Sequence, residues 1–259
     1  MASIAVAPSL SNEELATFVA LTKGADSVEL KLTVPLSDRS RAGAALWVDP
    51  LDGQIRQVYF FDTPDLALNK SGVVVRARRV QGKGDDSVVK LRPVVPDDLS
   101  PELRGSPNFN VEVDAMPGGY VCSGSMKHVL DPTDVKEAVG GKRPIHKLYS
   151  KEQRSLCAAH APEGLELDSL SILGPILVLK VKFAPEDYGR RLVAELWMYP
   201  DNSMIVELST RCAPSEAFQI GGELRVFLTG RGIDLTGEQE TKTKRALEFF
   251  SERLQADTQ

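Results

Sequence analysis

The chain has 259 residues, 42% hydrophobic and 26% charged, with a formal net charge of −5, an ordinary globular composition for one large or two small domains. That balance gives no global attraction to nucleic acid or an acidic membrane surface, so any anion site must come from local clusters of Lys and Arg. Three cysteines without a Cys-x-x-Cys pair and three histidines without ligand spacing argue against a disulfide scaffold and a zinc centre. Residues 1–11 hold no basic segment ahead of an apolar run, and no stretch is apolar enough to span a bilayer, so a cytoplasmic protein with no membrane or nucleic-acid partner is expected.

Ser11 leads Glu13 and Glu14, followed by Leu15, Phe18, Val19 and Leu21 at helical spacing and a Gly24 stop. This predicts an amphipathic helix over 11–23. Residues 27–34 then alternate. Val28, Leu30, Leu32 and Val34 face one way, while Ser27, Glu29, Lys31 and Thr33 face the other, as in a strand with one apolar face. A strand is expected at 54–61 and another at 73–80, where Val73, Val75 and Ala77 oppose Val74, Arg76, Arg78 and Val80. The Gly-rich loop 81–86 is not a phosphate-binding P-loop, because no Gly-Lys-Ser/Thr opens a helix after it. The returning strand 87–92 carries Lys90 and Arg92 on one face. At 109–114, Phe109, Val111 and Val113 alternate with Asn110, Glu112 and Asp114.

Residues 123–130 and 133–139 read as two short helices around Asp131-Pro132, and 149–158 as a weaker strand carrying Lys151 and Arg154. Clear alternation resumes at 176–183, with Lys180 and Lys182 on the polar face, and at 191–199, with Arg191 and Glu195. A further strand from Met204 carries Glu207, Ser209 and Arg211 on one face. Two helices are expected to end the chain, over 214–229 and 237–254. Short loops and the lack of a strand–helix–strand rhythm predict an α+β fold, with about eight antiparallel strands closing into a barrel under covering helices. No linker divides the sequence, so 1–259 is expected to be one domain with its core at about 27–247.

The polar faces carry the cations Lys31, Arg76, Arg78, Lys90, Arg92, Arg154, Lys180, Lys182 and Arg191, and the acids Glu29, Glu112, Asp114, Glu195 and Glu207. If the apolar faces point outward under helices, these charges share a lumen and need a counter-ligand. Rows of Arg and Lys suit a polyanion, and carboxylates without His or Cys suit Mg²⁺ or Mn²⁺. If the apolar faces point inward, the charges form a solvated surface. The pattern alone leaves both arrangements open.

The run Glu29-Leu30-Lys31, the stretch Tyr59-Phe60-Phe61-Asp62-Thr63-Pro64, the Arg76-Ala77-Arg78 strand, Lys90 and the paired strands at Glu195 and Glu207 resemble the CYTH superfamily. These are the triphosphate tunnel metalloenzymes, which include thiamine triphosphatases, inorganic triphosphatases and class IV adenylyl cyclases. The resemblance implies an eight-stranded antiparallel barrel whose tunnel binds a triphosphate-containing small molecule with Mg²⁺ or Mn²⁺. It implies Glu29, Glu195 and Glu207 as metal ligands with Glu112 as a helper. Lys31, Arg76, Arg78, Lys90 and Arg154 would contact phosphate, Lys31 and Lys90 would also act in catalysis, and Arg92, Lys180, Lys182 and Arg191 would follow. Lys242, with Lys244 as its rival, takes the place of a C-terminal lysine that reaches the tunnel. Two departures stand out: Ser27 replaces the first acid of Glu-x-Glu-x-Lys, and Ser209 replaces the second acid of a late Glu-x-Glu. A divalent-metal-dependent triphosphatase is the implied activity. The alternatives are a non-catalytic triphosphate, polyphosphate or nucleotide binder with a degenerate metal site, and a cyclase of the class IV type.

Overall fold

The computed structural model describes residues 11–235, 239 and 241–256. The leading residues 1–10, read above for a targeting signal, and residues 237, 238 and 240 of the expected last helix lie outside that set. The strands are β1 (Ser27–Val34), β2 (Gln54–Asp62), β3 (Val73–Val80), β4 (Asp86–Leu91), β5 (Phe109–Met116), β6 (Gly119–Val129), β7 (Ser171–Phe183), β8 (Leu192–Met198) and β9 (Met204–Cys212). The helices are α1 (Asn12–Lys23), α2 (Arg39–Ala45), α3 (Ala67–Lys70), α4 (Pro101–Arg104), α5 (Asp134–Val139), α6 (Lys151–His160), α7 (Ala217–Gly230) and α8 (Lys242–Ala256).

The strands close into a barrel in the order β1-β5-β6-β4-β3-β2-β7-β8-β9, with β9 returning to β1. The expected α+β barrel is therefore present. It has nine strands among the described residues rather than eight, and β1 runs parallel to β5 while the other pairs are antiparallel. No helix of the described residues is long and apolar enough to cross a membrane.

The apolar faces point outward. Val28, Tyr59, Phe61, Val75, Ala77, Val89, Val111 and Val113 pack with Phe18 of α1, Val135 of α5, Leu156 of α6 and Ile220 of α7 in one buried cluster. A second cluster joins Leu32, Leu192 and Leu208 to Ala42 of α2 and Leu224 and Leu228 of α7. Burial of apolar area drives both contacts, and strand alternation sends the charges to the inside.

One end of that inside is apolar. Val58, Phe60, Val74, Ile176, Trp197 and Ile205 share strand faces with Arg56, Arg76, Lys180, Glu195 and Glu207. They are buried against Ala246, Leu247 and Phe250 of α8. Helix α8 therefore closes the barrel at this end and forms its floor.

Two segments differ from their expected form. Residues 123–129 of the expected helix 123–130 belong to strand β6. Cys122, Gly124 and Met126 form its outer face, and a Cβ at Gly124 would collide with the Phe109 ring of β5. Residues 149–158 are mostly helix α6, not a strand. Ser150 caps the helix by accepting from Gln153 N at 3.2 Å, and Gln153 Oε1 accepts from Ser150 N at 3.0 Å. The buried Gln153 amide then donates to the Met126 carbonyl at 2.9 Å, pinning α6 to β6.

Candidate functional site

The barrel encloses a cavity of about 770 Å³ with charged side chains on its walls, and Arg211 reaches it from the end of β9. The cations Lys31, Arg56, Arg76, Arg78, Lys83, Lys90, Arg92, Lys127, Lys180, Lys182, Arg211 and Lys242 outnumber the carboxylates Glu29, Asp85, Asp86, Glu112, Asp114 and Glu195. The excess is positive and unevenly distributed.

The wall of β2, β3 and β4 is basic. Arg78 makes a two-pronged pair with Asp86, Nε to Oδ1 at 2.8 Å and Nη2 to Oδ2 at 2.9 Å, and Lys127 of β6 joins the same carboxylate at 3.4 Å. Arg56 donates to the neutral Gln54 side chain. Arg76 has a buried Nε–H without a hydrogen-bond partner, and no ion pair involves it among the described residues. Burial, and then the nearby Arg78, push its guanidinium down to about 10.

The opposite wall, from β1, β5 and the end of β9, is acidic and paired. The parallel β1–β5 register sets Glu29 beside Asp114 and Ser27 beside Glu112. Lys31 Nζ lies 2.8 Å from Asp114 and 3.2 Å from Glu29, while Lys90 and Arg92 approach Asp114 at 3.7 and 3.6 Å. Burial opposes ionisation of Asp114, but Lys31, Lys90 and Arg92 prevail and hold it well below the usual carboxylate range. Burial works the same way against Lys31, and Asp114 and Glu29 overcome it to raise its pKa. Arg211 pairs with Glu112, yet burial and the charges of Glu29 and Asp114 still raise Glu112.

Glu29, Glu112 and Asp114 each offer an oxygen within 4.8 Å of the others. Three carboxylates without nitrogen or sulfur donors fit a hard divalent cation. The repulsion left at Glu112 is what such a cation would relieve.

A third group joins the floor. Glu195 of β8 faces Glu207 of β9 in register. Lys242, at the start of α8, lies 2.5 Å from Glu195 and 2.7 Å from Glu207, and Lys180 lies 2.7 Å from Glu195. Burial opposes ionisation of Glu195, but Lys242 and Lys180 hold it well below its ordinary value.

The expected site residues therefore separate. Lys31, Arg76, Arg78, Lys90, Arg92, Lys180, Lys182 and Lys242 all line the cavity. Arg154 does not: it sits on α6 outside the barrel, where Nη1 donates to the Tyr149 carbonyl at 2.6 Å. Arg191 precedes β8, is exposed, and does not line the cavity. Lys244, the rival to Lys242, pairs with Glu248 on the exposed side of α8. Among the expected metal ligands, Glu29 and Glu112 meet, whereas Glu195 and Glu207 form a separate pair engaged by lysines. Sequence reasoning missed the central place of Asp114 and the lining roles of Arg56, Lys127 and Asp86. Arg56 follows the spacing Gln54, Arg56, Val58, Phe60, but the two apolar members of that face belong to the floor and hide the pattern.

No family model and no curated protein matches the chain. Solved structures do. HpAC1 from Hippeastrum, described as a candidate adenylyl cyclase with a dominant triphosphatase activity, aligns at 17% identity and a TM-score of 0.62 over 83% of this chain and 92% of that one. A candidate adenylate cyclase from Bacillus halodurans, bh2851, aligns at 15% identity and a TM-score of 0.59 over 85% and 96%. At such identities the likeness establishes the fold. The chain shares the closed-barrel architecture of these two solved structures.

Proposed function

We propose that the protein binds a triphosphate-containing small molecule in the barrel and hydrolyses it with a divalent cation. Arg76 gives this reading its main support. Its guanidinium forms no ion pair among the described residues, burial and Arg78 outweigh the attraction of the more distant Asp86 and Glu195, and it faces a cavity rather than a packed core. Phosphate oxygens would supply the missing charge, and a guanidinium takes them two at a time.

In this reading Arg76 and Arg78 grip the phosphate chain from the basic wall. Lys31 and Lys90 approach it from the neighbouring strands and offset charge on the transferred phosphoryl group. Arg56, Arg92 and Lys182 extend the positive lining. Glu29, Glu112 and Asp114 would hold Mg²⁺ or Mn²⁺, which supplies charge neutralisation and activation of water when bound. The triphosphatase activity described for HpAC1 accords with this reading.

Phosphate release from inorganic triphosphate, ATP and thiamine triphosphate, each with Mg²⁺ or Mn²⁺, tests it. Metal-dependent release from at least one is expected. Tight binding of triphosphate with no release in any mixture would instead identify a non-catalytic binder. One observation favours that second reading: Ser209 Oγ donates to Glu29 Oε1 at 3.1 Å, at a position where the resemblance implies another carboxylate. Formation of cyclic AMP from ATP would identify a cyclase.

A further inference from the structure

Glu195 and Glu207 stand directly opposite one another on β8 and β9, on the face that lines the lumen. Two ionised carboxylates placed this way repel each other, and away from bulk water they need a cation between them. Lys242 supplies one, its Nζ 2.5 Å from Glu195 Oε2 and 2.7 Å from Glu207 Oε1. Lys180 takes the remaining Glu195 oxygen, Oε1, at 2.7 Å. The four side chains sum to zero charge, and both oxygens of Glu195 are engaged.

Lys242 is held there by more than its charge. It is the first residue of α8, whose Ala246, Leu247 and Phe250 are locked into the barrel floor. Its Nζ lies 5.1 Å from the centroid of the Trp197 ring, and its side chain is only 13% exposed. The packed helix fixes the root of the side chain, so holding the ammonium in place costs less further ordering than it would on a mobile surface. A divalent cation entering between the two glutamates would have to expel Lys242. It would then still meet the Lys180 ammonium beside Glu195. The pair Glu195 and Glu207 therefore does not fit a metal in the way the resemblance implies.

We infer that the Lys242 ammonium is a resident cation occupying the position that Glu195 and Glu207 define, in place of a second divalent metal. Resting on the reading of the lumen as a phosphate site, this gives the glutamate pair a different role, that of holding a lysine at the base of the anion-binding space. Any divalent cation then belongs with Glu29, Glu112 and Asp114, which offer three carboxylates rather than two and from which Lys31 would have to draw back.

Counting bound Mn²⁺ by the loss of the free-ion electron paramagnetic resonance signal tests this on the full chain, without triphosphate. Wild type and Glu207→Gln are expected to bind the same number of Mn²⁺ ions. Lys242→Met is expected to bind one more, and Lys242→Met with Glu207→Gln to return to the wild-type number. Loss of one equivalent in Glu207→Gln would overturn the inference, because a metal would already be using that carboxylate. So would a folded Lys242→Met variant that gains none. If Lys242→Met fails to fold, Glu207→Gln alone decides, with an unchanged count supporting the inference. Because the count is made without triphosphate, a failure of the proposed hydrolysis leaves this result intact and readable.

Discussion

Arg76 on β3 and Asp114 on β5 face one cavity, and both are charges largely removed from water. Asp114 has Lys31, Lys90 and Arg92 within 4 Å. Arg76 has no ion pair among the described residues. On the acidic wall the Coulomb gains at Asp114 offset its desolvation inside the protein, and only Glu112 keeps residual repulsion. At Arg76 on the basic wall burial prevails, and an anion from outside would offset it. Loss of Asp114 should therefore show first in stability, and loss of Arg76 first in binding.

The largest effect should come from removing the basic wall. Arg76→Ala combined with Arg78→Ala is expected to weaken triphosphate binding more than about 100-fold, since each charge-assisted contact contributes roughly 1.5–3 kcal/mol. Isothermal titration calorimetry reads this directly. Unchanged affinity in a folded double variant would mean that the lumen is not the site.

The next effect concerns stability and should have opposite signs on the two walls. Asp114→Asn strands buried cations and is expected to cost about 3–5 kcal/mol in urea unfolding. Arg76→Met removes a half-buried guanidinium that forms no ion pair and is expected to stabilise the fold by about 1 kcal/mol while impairing binding. A destabilised Arg76→Met variant would show that Arg76 is satisfied in the free protein and would remove the contrast.

Acid should act chiefly on the paired wall and the floor. Asp114 and Glu195 lie below their ordinary values of 3.8 and 4.5 when folded. Their contribution is therefore complete above those values and lost as pH falls through the lower folded ones. Glu112 is raised, so its protonation favours the folded state from its folded value down to 4.5 and works against that trend. Melting temperature should fall on acidification below about pH 4, and Asp114→Asn should show a shallower slope there.

The smallest effect is expected outside the barrel. Arg154→Ala removes a contact to the Tyr149 carbonyl and should cost no more than about 1 kcal/mol of stability. It should leave triphosphate affinity within about twofold, as should Arg191→Ala. A tenfold loss in either would place a second anion contact beyond the lumen.

Much of this arrangement could be read from alternation. Strands β1, β3, β4 and β5 place their charges opposite a regular apolar face, and that face is the one buried by helices. Strand β6 was hidden because its outer face uses Cys122, Gly124 and Met126, too small and mixed to register as an apolar stripe. Helix α6 was hidden because its anchor to the barrel is a buried amide, Gln153, rather than a row of leucines. The capping pair Ser150 and Gln153 was the available signal. The role of Asp114 had no local signal. It depends on β1 lying parallel to β5, which brings Glu29 beside a residue far away in sequence. Lys242 was found by resemblance, but its position between two glutamates depends on how α8 enters the barrel.

The floor made by Ala246, Leu247 and Phe250 has a further consequence for traffic. A cavity stopped at one end is a well, not a pipe. A linear polyanion can lower only a free terminus into it, so a phosphate chain bearing bulky groups at both ends has nothing slender enough to reach Lys242. If the proposed hydrolysis takes place here, arrival and departure would share one doorway, and a lingering product would stop the next molecule.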